Sequence, residues 1–217
     1  MTTQTTLPPP RTRKPRGQGH ERRPEILAAA KALILAEGEA GFTTRKLAAR
    51  VGLSQTGLYV YFKSREEIFD ALCRESFEQL AAQFHAVEDA APEGLARLRA
   101  LGRAYIEFGL AHPEEYRLTF MDGPGIAKEP MEPLDGPSEA LGIGSQVFLI
   151  IHRNVQALAD AGELKVRDVT LTTHTIWFAL HGLVSVFIAR PLFLKADKEA
   201  LIEALLDSFG SLRAGHG

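Results

Sequence analysis

The sequence predicts an all-α fold of about nine helices, on three observations. Apolar residues recur at three- and four-residue spacing along most of the chain. No segment shows convincing period-two alternation, so no sheet is expected. Several of the periodic stretches open at a capping residue and close at a Gly or a Pro.

The elements follow in order. Residues 1–22 mix Pro, Thr, Gly and basic side chains without hydrophobic periodicity, which predicts a disordered basic arm carrying Arg11, Arg13, Lys14 and Arg16. Pro24 suits the first turn of a helix; Ile26, Ala30, Leu33 and Ile34 follow at helical spacing, and Gly38 and Gly41 close it. A second helix starts with Thr43 or Thr44 as N-cap and turns Leu47, Ala48 and Val51 inward, until Gly52 interrupts it. A very short helix is expected from Ser54 to about Tyr61. Ser64-Arg65-Glu66-Glu67 reads as a capping box opening a long helix to about Val87. Helices are then expected over 92–111, stopped by His112-Pro113, and over 113–121. Residues 122–137 hold four Pro and three Gly, which marks a loop. Three more helices are expected at 138–161, 166–189 and 197–212. The division is a 1–22 arm, a 23–70 head and a 71–217 helical domain.

The bulk numbers agree. The chain's 217 residues suit one small and one medium domain, and 45% hydrophobic with 24% charged residues is a soluble globular composition. The net charge of −2 conceals an asymmetry: residues 1–65 hold 12 Lys+Arg against 4 Asp+Glu, the remainder 13 against 23. That suggests an N-terminal part that meets a polyanion, although a solvated basic tail has the same composition. Cys73 is the only cysteine, which leaves no intrachain disulfide and no cysteine-based zinc site; its apolar setting fits a small buried hydrophobe. The first residues form no apolar leader, and the protein is expected to be cytoplasmic. The best membrane candidate, Val169–Ala189, is interrupted by Thr170, Thr172, Thr173, His174, Thr175 and His181, so it reads as a buried helix.

The chemistry concentrates in TTRKLAARVGLSQTGLYVYFKSR, residues 43–65. Two short helices around a Gly-containing turn, with small Ala48 and Ala49 allowing close approach, are what a helix-turn-helix requires. The second helix of such a unit enters the major groove with its first residues against base edges. Here it offers Ser54, Gln55, Thr56 and Gly57. The Gln55 carboxamide is the group best able to read a base, since it matches adenine N6/N7. Arg45 is the next candidate, for guanine or phosphate. The Tyr59 and Tyr61 hydroxyls, with Lys63 and Arg65 at the next helix start, suit phosphates. Leu58, Tyr59 and Phe62 serve equally well as core.

From ILAAAKALILAEGEAGFTTRKLAARVGLSQTGLYVYFKSREEIFDAL, residues 26–72, the chain resembles the TetR/AcrR family of regulators. The shared elements are the Gly-Phe-Thr-Thr lead-in, the Leu-Ala-x-x-Val-Gly-Leu-Ser turn and Leu-Tyr-x-Tyr-Phe-Lys-Ser-Arg-Glu-Glu. The resemblance implies DNA contacts at Thr44, Arg45, Gln55, Thr56, Gly57, Tyr59, Tyr61, Lys63 and Arg65. Val60 departs from it, where many relatives carry His or a larger aromatic. Trp177-Phe178-Ala179-Leu180-His181-Gly182-Leu183 and the segment 105–120 resemble a subgroup with a Trp…His-Gly motif. Gly182 is expected to let a helix pack close, and Trp177 and His181 share a face.

What the resemblance implies for the larger domain is a homodimer through about 166–189 and 197–212, and an effector pocket. Leu201, Ile202, Leu205, Leu206 and Phe209 form a stripe on the last helix that requires cover, from a partner or from the same chain. Candidate pocket residues are Tyr105, Phe108, Tyr116, Phe120, Phe148, His152, Trp177, Phe178 and His181, an aromatic set suited to a small hydrophobic or aromatic molecule. The expected partners are thus a double-stranded palindromic operator, an effector and a second copy, with no membrane and no cofactor. Two alternatives stay open: a metal sensor for zinc or copper, and a helical enzyme using His112, His152 and His181. Against the enzyme, the chain has no His-Glu-x-x-His, no Gly-x-Ser-x-Gly elbow and no phosphate loop.

Overall fold

The computed structural model describes residues 19–121, 141–193 and 195–211, and within these every regular element is helical. The arm residues Arg11 to Arg16, the 122–137 loop and Ser138 lie outside the described residues.

The first helix, α1 (Gly19–Gly41), begins before Pro24, which therefore stands inside the helix rather than in its first turn. At Gly38 the backbone turns to φ 71°, ψ 171°, and one further helical turn follows before Phe42. α2 (Thr44–Arg50) is capped by Thr43, whose hydroxyl accepts from the Lys46 N–H at 3.2 Å. It closes in a Schellman motif: the Gly52 N–H donates to the Ala49 carbonyl and the Leu53 N–H to the Ala48 carbonyl. Gly52 has φ 69°, a conformation that costs a β-carbon-bearing residue about 1 kcal/mol or more. α3 is shorter than the pattern predicted, Gln55–Leu58, with Ser54 as N-cap accepting from the Gly57 N–H at 3.0 Å.

α4 (Arg65–Ala90) joins the two halves without a linker. Its capping box forms with one change of partner. Ser64 accepts from the Glu67 N–H at 3.1 Å, but the Glu67 carboxylate reaches back to the Lys63 N–H rather than to that of Ser64. Ile68, Phe69, Leu72 and Cys73 of α4 close the N-terminal core with α1, α2 and α3. Phe77, Leu80 and Phe84 enter the C-terminal core. The division between the cores thus falls inside one helix, between Cys73 and Phe77.

α4 packs against α5 (Leu95–Ala111) and α7 (Ile143–Asp160); α8 (Val169–Ala189) lies on α5 and α7, and α9 (Lys198–Ser208), extended by one tight turn, Phe209–Ser211, lies on α5 and α8. Three starts are later than predicted, each for a local reason. Gly94 has φ 131°, which holds α5 back to Leu95. Gly142 is extended (ψ 152°) ahead of α7. Asp168 caps α8 by accepting from the Leu171 N–H at 2.9 Å. The single helix predicted over 113–121 is instead a short α6 (Pro113–Tyr116) running into a π-helical turn, Arg117–Met121, a geometry frequent at functional sites.

Two packing expectations change. Gly182 is exposed, with nothing within 4 Å of a β-carbon placed there. The close helix approach is made instead at Gly109 and Gly102, where α8 and α9 press against α5. The reading of α8 as a buried helix holds for one stripe only. Thr173, Ile176, Leu180, Val184 and Phe187 are buried, while Leu171 and Phe178 are 65% and 59% exposed. By length and composition α8 would also pass for a membrane span, but its buried stripe is committed to the protein core. On α9 the predicted stripe is divided: Ile202, Leu206 and Phe209 are buried within the chain, and Leu201 and Leu205 are only half-buried.

Candidate functional site

The head presents its predicted polar residues on one edge. Leu58 and Phe62 are fully buried and anchor α3 to the N-terminal core. That leaves Ser54, Gln55, Thr56, Tyr59 and Val60 facing outward, with Gly57 half-buried beneath them. Arg45 and Lys63 are exposed at the flanks, and Thr44 and Tyr61 are half-buried. The Gln55 Nε2 donates to the Thr44 Oγ1 at 3.3 Å, so the first residues of α2 and α3 are joined by their side chains.

Arg65 is placed differently from the rest. Its guanidinium bonds the Glu39 carbonyl and carboxylate at 3.3 and 3.2 Å and lies 4.3 Å above the Phe69 ring. It ties α4 to the end of α1. Arg23 does the same on the other flank, bonding the Tyr61 carbonyl and Glu67 and stacking 4.1 Å over Phe62. The sequence reading missed Arg23, because nothing local distinguishes it from Arg22.

In the C-terminal half, five of the nine predicted pocket residues, Tyr105, Tyr116, Phe120, Trp177 and His181, come together around one polar chain. The Tyr105 and Tyr116 hydroxyls are 2.8 Å apart, and Tyr116 lies 2.7 Å from His181 Nδ1. His181 Nε2 continues to Ser185 Oγ at 3.3 Å. The Trp177 and Tyr116 rings both stack with the His181 ring, and Phe120 packs against both tyrosines. Phe108 is buried beside them and touches His112. Burial raises both tyrosine pKa values, most strongly that of Tyr105, and lowers that of His181, so all three are neutral near pH 7. The tyrosine end of the cluster is closed, with Tyr105 and Tyr116 at most 1% exposed, whereas Phe120, Trp177, His181 and Ser185 are half-buried. Ser185 and Phe77, which packs on Phe120 at 5.2 Å, were not anticipated. Ser185 was findable, since it stands four residues from His181 on the same helix.

Phe148, His152 and Phe178 form a second group with His174, which packs on Phe148 at 4.6 Å, and the Trp177–Phe178 ring contact at 5.4 Å joins it to the first. His152 bonds Thr170 at 3.2 Å. His112, beside Phe108 and Glu115, is in a third environment. The three histidines of the enzyme alternative are therefore not assembled, and among the described residues no group of three or more His, Cys, Asp or Glu side chains is placed to hold a metal ion.

The segment 113–121 touches both halves. Leu118 is buried in the N-terminal core, while Tyr116 and Phe120, two residues to either side, belong to the aromatic cluster. Glu115 pairs with Lys31 of α1 at 2.8 Å. A shallow surface cleft lies here, lined by Lys31, Ile34, Leu35, Glu75 and Leu118 among others.

Comparison with known proteins matches residues 26–72 to the tetR family of bacterial regulatory proteins and residues 98–209 to the tetracyclin repressor-like C-terminal domain. The nucleoid occlusion factor SlmA of Vibrio vulnificus (strain YJ016) is 36% identical over 93 residues, which is 42% of this chain and 47% of SlmA. The HTH-type transcriptional repressor KstR2 of Mycobacterium tuberculosis (strain ATCC 25618 / H37Rv) is 34% identical over 91 residues, 42% of this chain and 46% of KstR2. These matches therefore span about half the length of either relative. The solved structure of AibR in complex with isovaleryl coenzyme A and operator DNA shares the fold, with a TM-score of 0.58 and 17% identity over 85% of this chain and 96% of AibR. With both the head and more than half of the chain matched, the protein belongs to the TetR family of bacterial regulators.

Proposed function

We propose that this chain is a cytoplasmic, homodimeric transcriptional repressor that leaves a palindromic operator when a small hydrophobic or aromatic effector binds. The observation that carries the reading is the exposed Ser54–Gln55–Thr56 edge of α3, held by buried Leu58 on a rigid three-helix head. Short polar side chains at a helix start fit the major groove. Arg45, Gly57, Tyr59, Tyr61 and Lys63 complete the contacts, with phosphates for the flanking groups. Arg65 contributes by fixing the head, since its guanidinium is occupied by Glu39. KstR2, a repressor by name, and AibR, solved with a coenzyme A ester and operator DNA, are similar proteins of this kind.

The dimer is supported by the unpartnered side of α8. Leu171, Thr175, Phe178, Gly182 and Val186 are all exposed and recur at three- and four-residue spacing. Gly182 offers room for close approach there. The effector is placed at the cluster of Tyr105, Tyr116, Phe120, Trp177 and His181. Because the tyrosine end of that cluster is closed, an effector that enters it displaces side chains on the turn carrying Leu118, and so strains the contact with the head. Only a ligand that prefers the displaced form shifts the equilibrium.

The test is selection of bound duplexes from a random pool. A two-fold symmetric site confirms the reading, with half-sites about one helical turn or a multiple apart. Protein that retains no duplex at low ionic strength overturns it.

A further inference from the structure

Thr44 and Gln55 belong to different helices, and no backbone hydrogen bond joins them. Their 3.3 Å side-chain contact is therefore a tertiary feature of the reading edge. Gln55 is exposed, so its carboxamide has the freedom to rotate about its last bond. Such an amide is ambiguous as a reader. With its oxygen to one side it matches the donor and acceptor of adenine; turned over, its two hydrogens face acceptors such as guanine O6 and N7. In the structure the Thr44 hydroxyl accepts from the Gln55 amide nitrogen, which selects the first of these orientations. One amide hydrogen is occupied by the Thr44 oxygen, and the carbonyl oxygen with the second hydrogen is left to face outward. Those two groups complement the N6 donor and N7 acceptor of adenine.

Thr44 is itself well fixed. It is the first residue of α2, and the preceding Thr43 side chain caps that helix. Ser54 does the same for α3 immediately before Gln55. Two capped helix starts thus hold the hydroxyl and the carboxamide at bonding distance, and the Gly52–Leu53 turn fixes the angle between them.

We propose that Thr44 is a positioning residue: it sets the orientation of the Gln55 carboxamide and makes it selective for adenine. This rests on the reading of α3 as the groove-facing helix. The hydrogen of the Thr44 hydroxyl remains free to meet a phosphate, so total affinity does not isolate the positioning role. The ratio of affinities between two bases at one position does, because phosphate contacts cancel in it.

The experiment uses the full-length protein and the duplex recovered from a random pool. The position read by Gln55 is found as the one where Gln55→Ala loses base preference. Affinity for duplexes carrying each base there is then compared for the unaltered protein, Thr44→Val, Thr44→Ser, Gln55→Ala and the Thr44→Val/Gln55→Ala double variant. Thr44→Val is expected to lower the preference for adenine by about fivefold, the worth of one neutral hydrogen bond. Thr44→Ser restores it, and in the Gln55→Ala background Thr44→Val changes no base ratio. A Thr44→Val protein that weakens on all four duplexes equally makes Thr44 a phosphate contact and overturns the proposal. If Gln55→Ala alters no base preference anywhere, the reading of α3 has failed instead.

Discussion

The carbonyl of Leu118 lies 3.8 Å from the Cys73 sulfur, buried at the centre of the N-terminal core, although Leu118 belongs to the C-terminal half of the chain. A residue of the effector-side turn is therefore part of the head's own packing. Leu118→Ala empties that place. It should destabilise the protein by about 2–4 kcal/mol, as for other buried leucines, and should weaken the response of operator binding to effector. Denaturant unfolding and effector-release titrations check the two effects. A variant of unchanged stability with a normal release curve refutes this account of Leu118.

The same contact bears on Cys73. Burial pushes its thiol up to about 11, so the thiolate is scarce at neutral pH. A thiol reagent at pH 7.5 is expected to modify the native protein only as fast as it opens. Adding a denaturant should bring modification to the rate of a free cysteine. Rapid labelling of the folded protein would show an accessible thiol instead.

Gly109 shows how tightly α5 and α8 are set. A β-carbon there would stand 2.5 Å from Val184 Cγ1 and 2.8 Å from Tyr116 Cδ2. Neither neighbour is free to move, since both are fully buried. Gly109→Ala should therefore cost about 1–3 kcal/mol by overpacking, although alanine is the better helix former. Gly182→Ala on the exposed side of α8 meets no neighbour within the chain and should raise stability by about 1 kcal/mol. Thermal unfolding of the two variants decides it, and equal midpoints would contradict the packing described.

These residues also mark how far the sequence was legible. The head could be read because its signals are local: Thr43, Ser54 and Ser64 cap the helices predicted for them, and Gly52 takes the positive φ its turn requires. The aromatic cluster was legible as a set of residues but not as an arrangement. Nothing near Phe148 or Phe178 in sequence separates them from Trp177 and Tyr116, and only the packing of α7 and α8 does. Gly109 and Gly182 look alike in sequence, and which of them meets a neighbouring helix depends on the angle at which α5 crosses α8. Leu118 carried no signal, because a leucine at helical spacing looks the same whichever core receives it.

His181 gives a pH dependence. Burial lowers its folded pKa below the ordinary 6.5. Above about pH 6.5 both folded and unfolded forms are neutral and the group has no effect. As pH falls below that value the unfolded imidazole takes up a proton that the folded one refuses, so stability declines with acidity. His152, lowered by the same cause, acts in the same direction. His181→Gln keeps a neutral hydrogen-bonding group and should reduce the slope between pH 7 and pH 5 without abolishing it. The comparison is between unfolding free energies at the two pH values, and identical slopes would remove His181 from the explanation.

The α8 surface supplies the last test. Phe178 is more than half exposed in the single chain and makes no contribution to the buried stripe of its helix, so replacing it should leave the fold intact. In a symmetric dimer each copy contributes the same face, and any change is felt twice. Phe178→Glu removes apolar burial worth about 1.5–3 kcal/mol per copy and sets a carboxylate in its place. The dimer's dissociation constant should therefore rise by about two orders of magnitude or more, and operator binding should fall with it, because half-sites are then met one at a time. Sedimentation equilibrium gives the mass and circular dichroism the helix content. A variant that stays dimeric at the same concentration places the subunit contact on another face, whereas loss of helix content would mean that Phe178 belongs to the intrachain core after all.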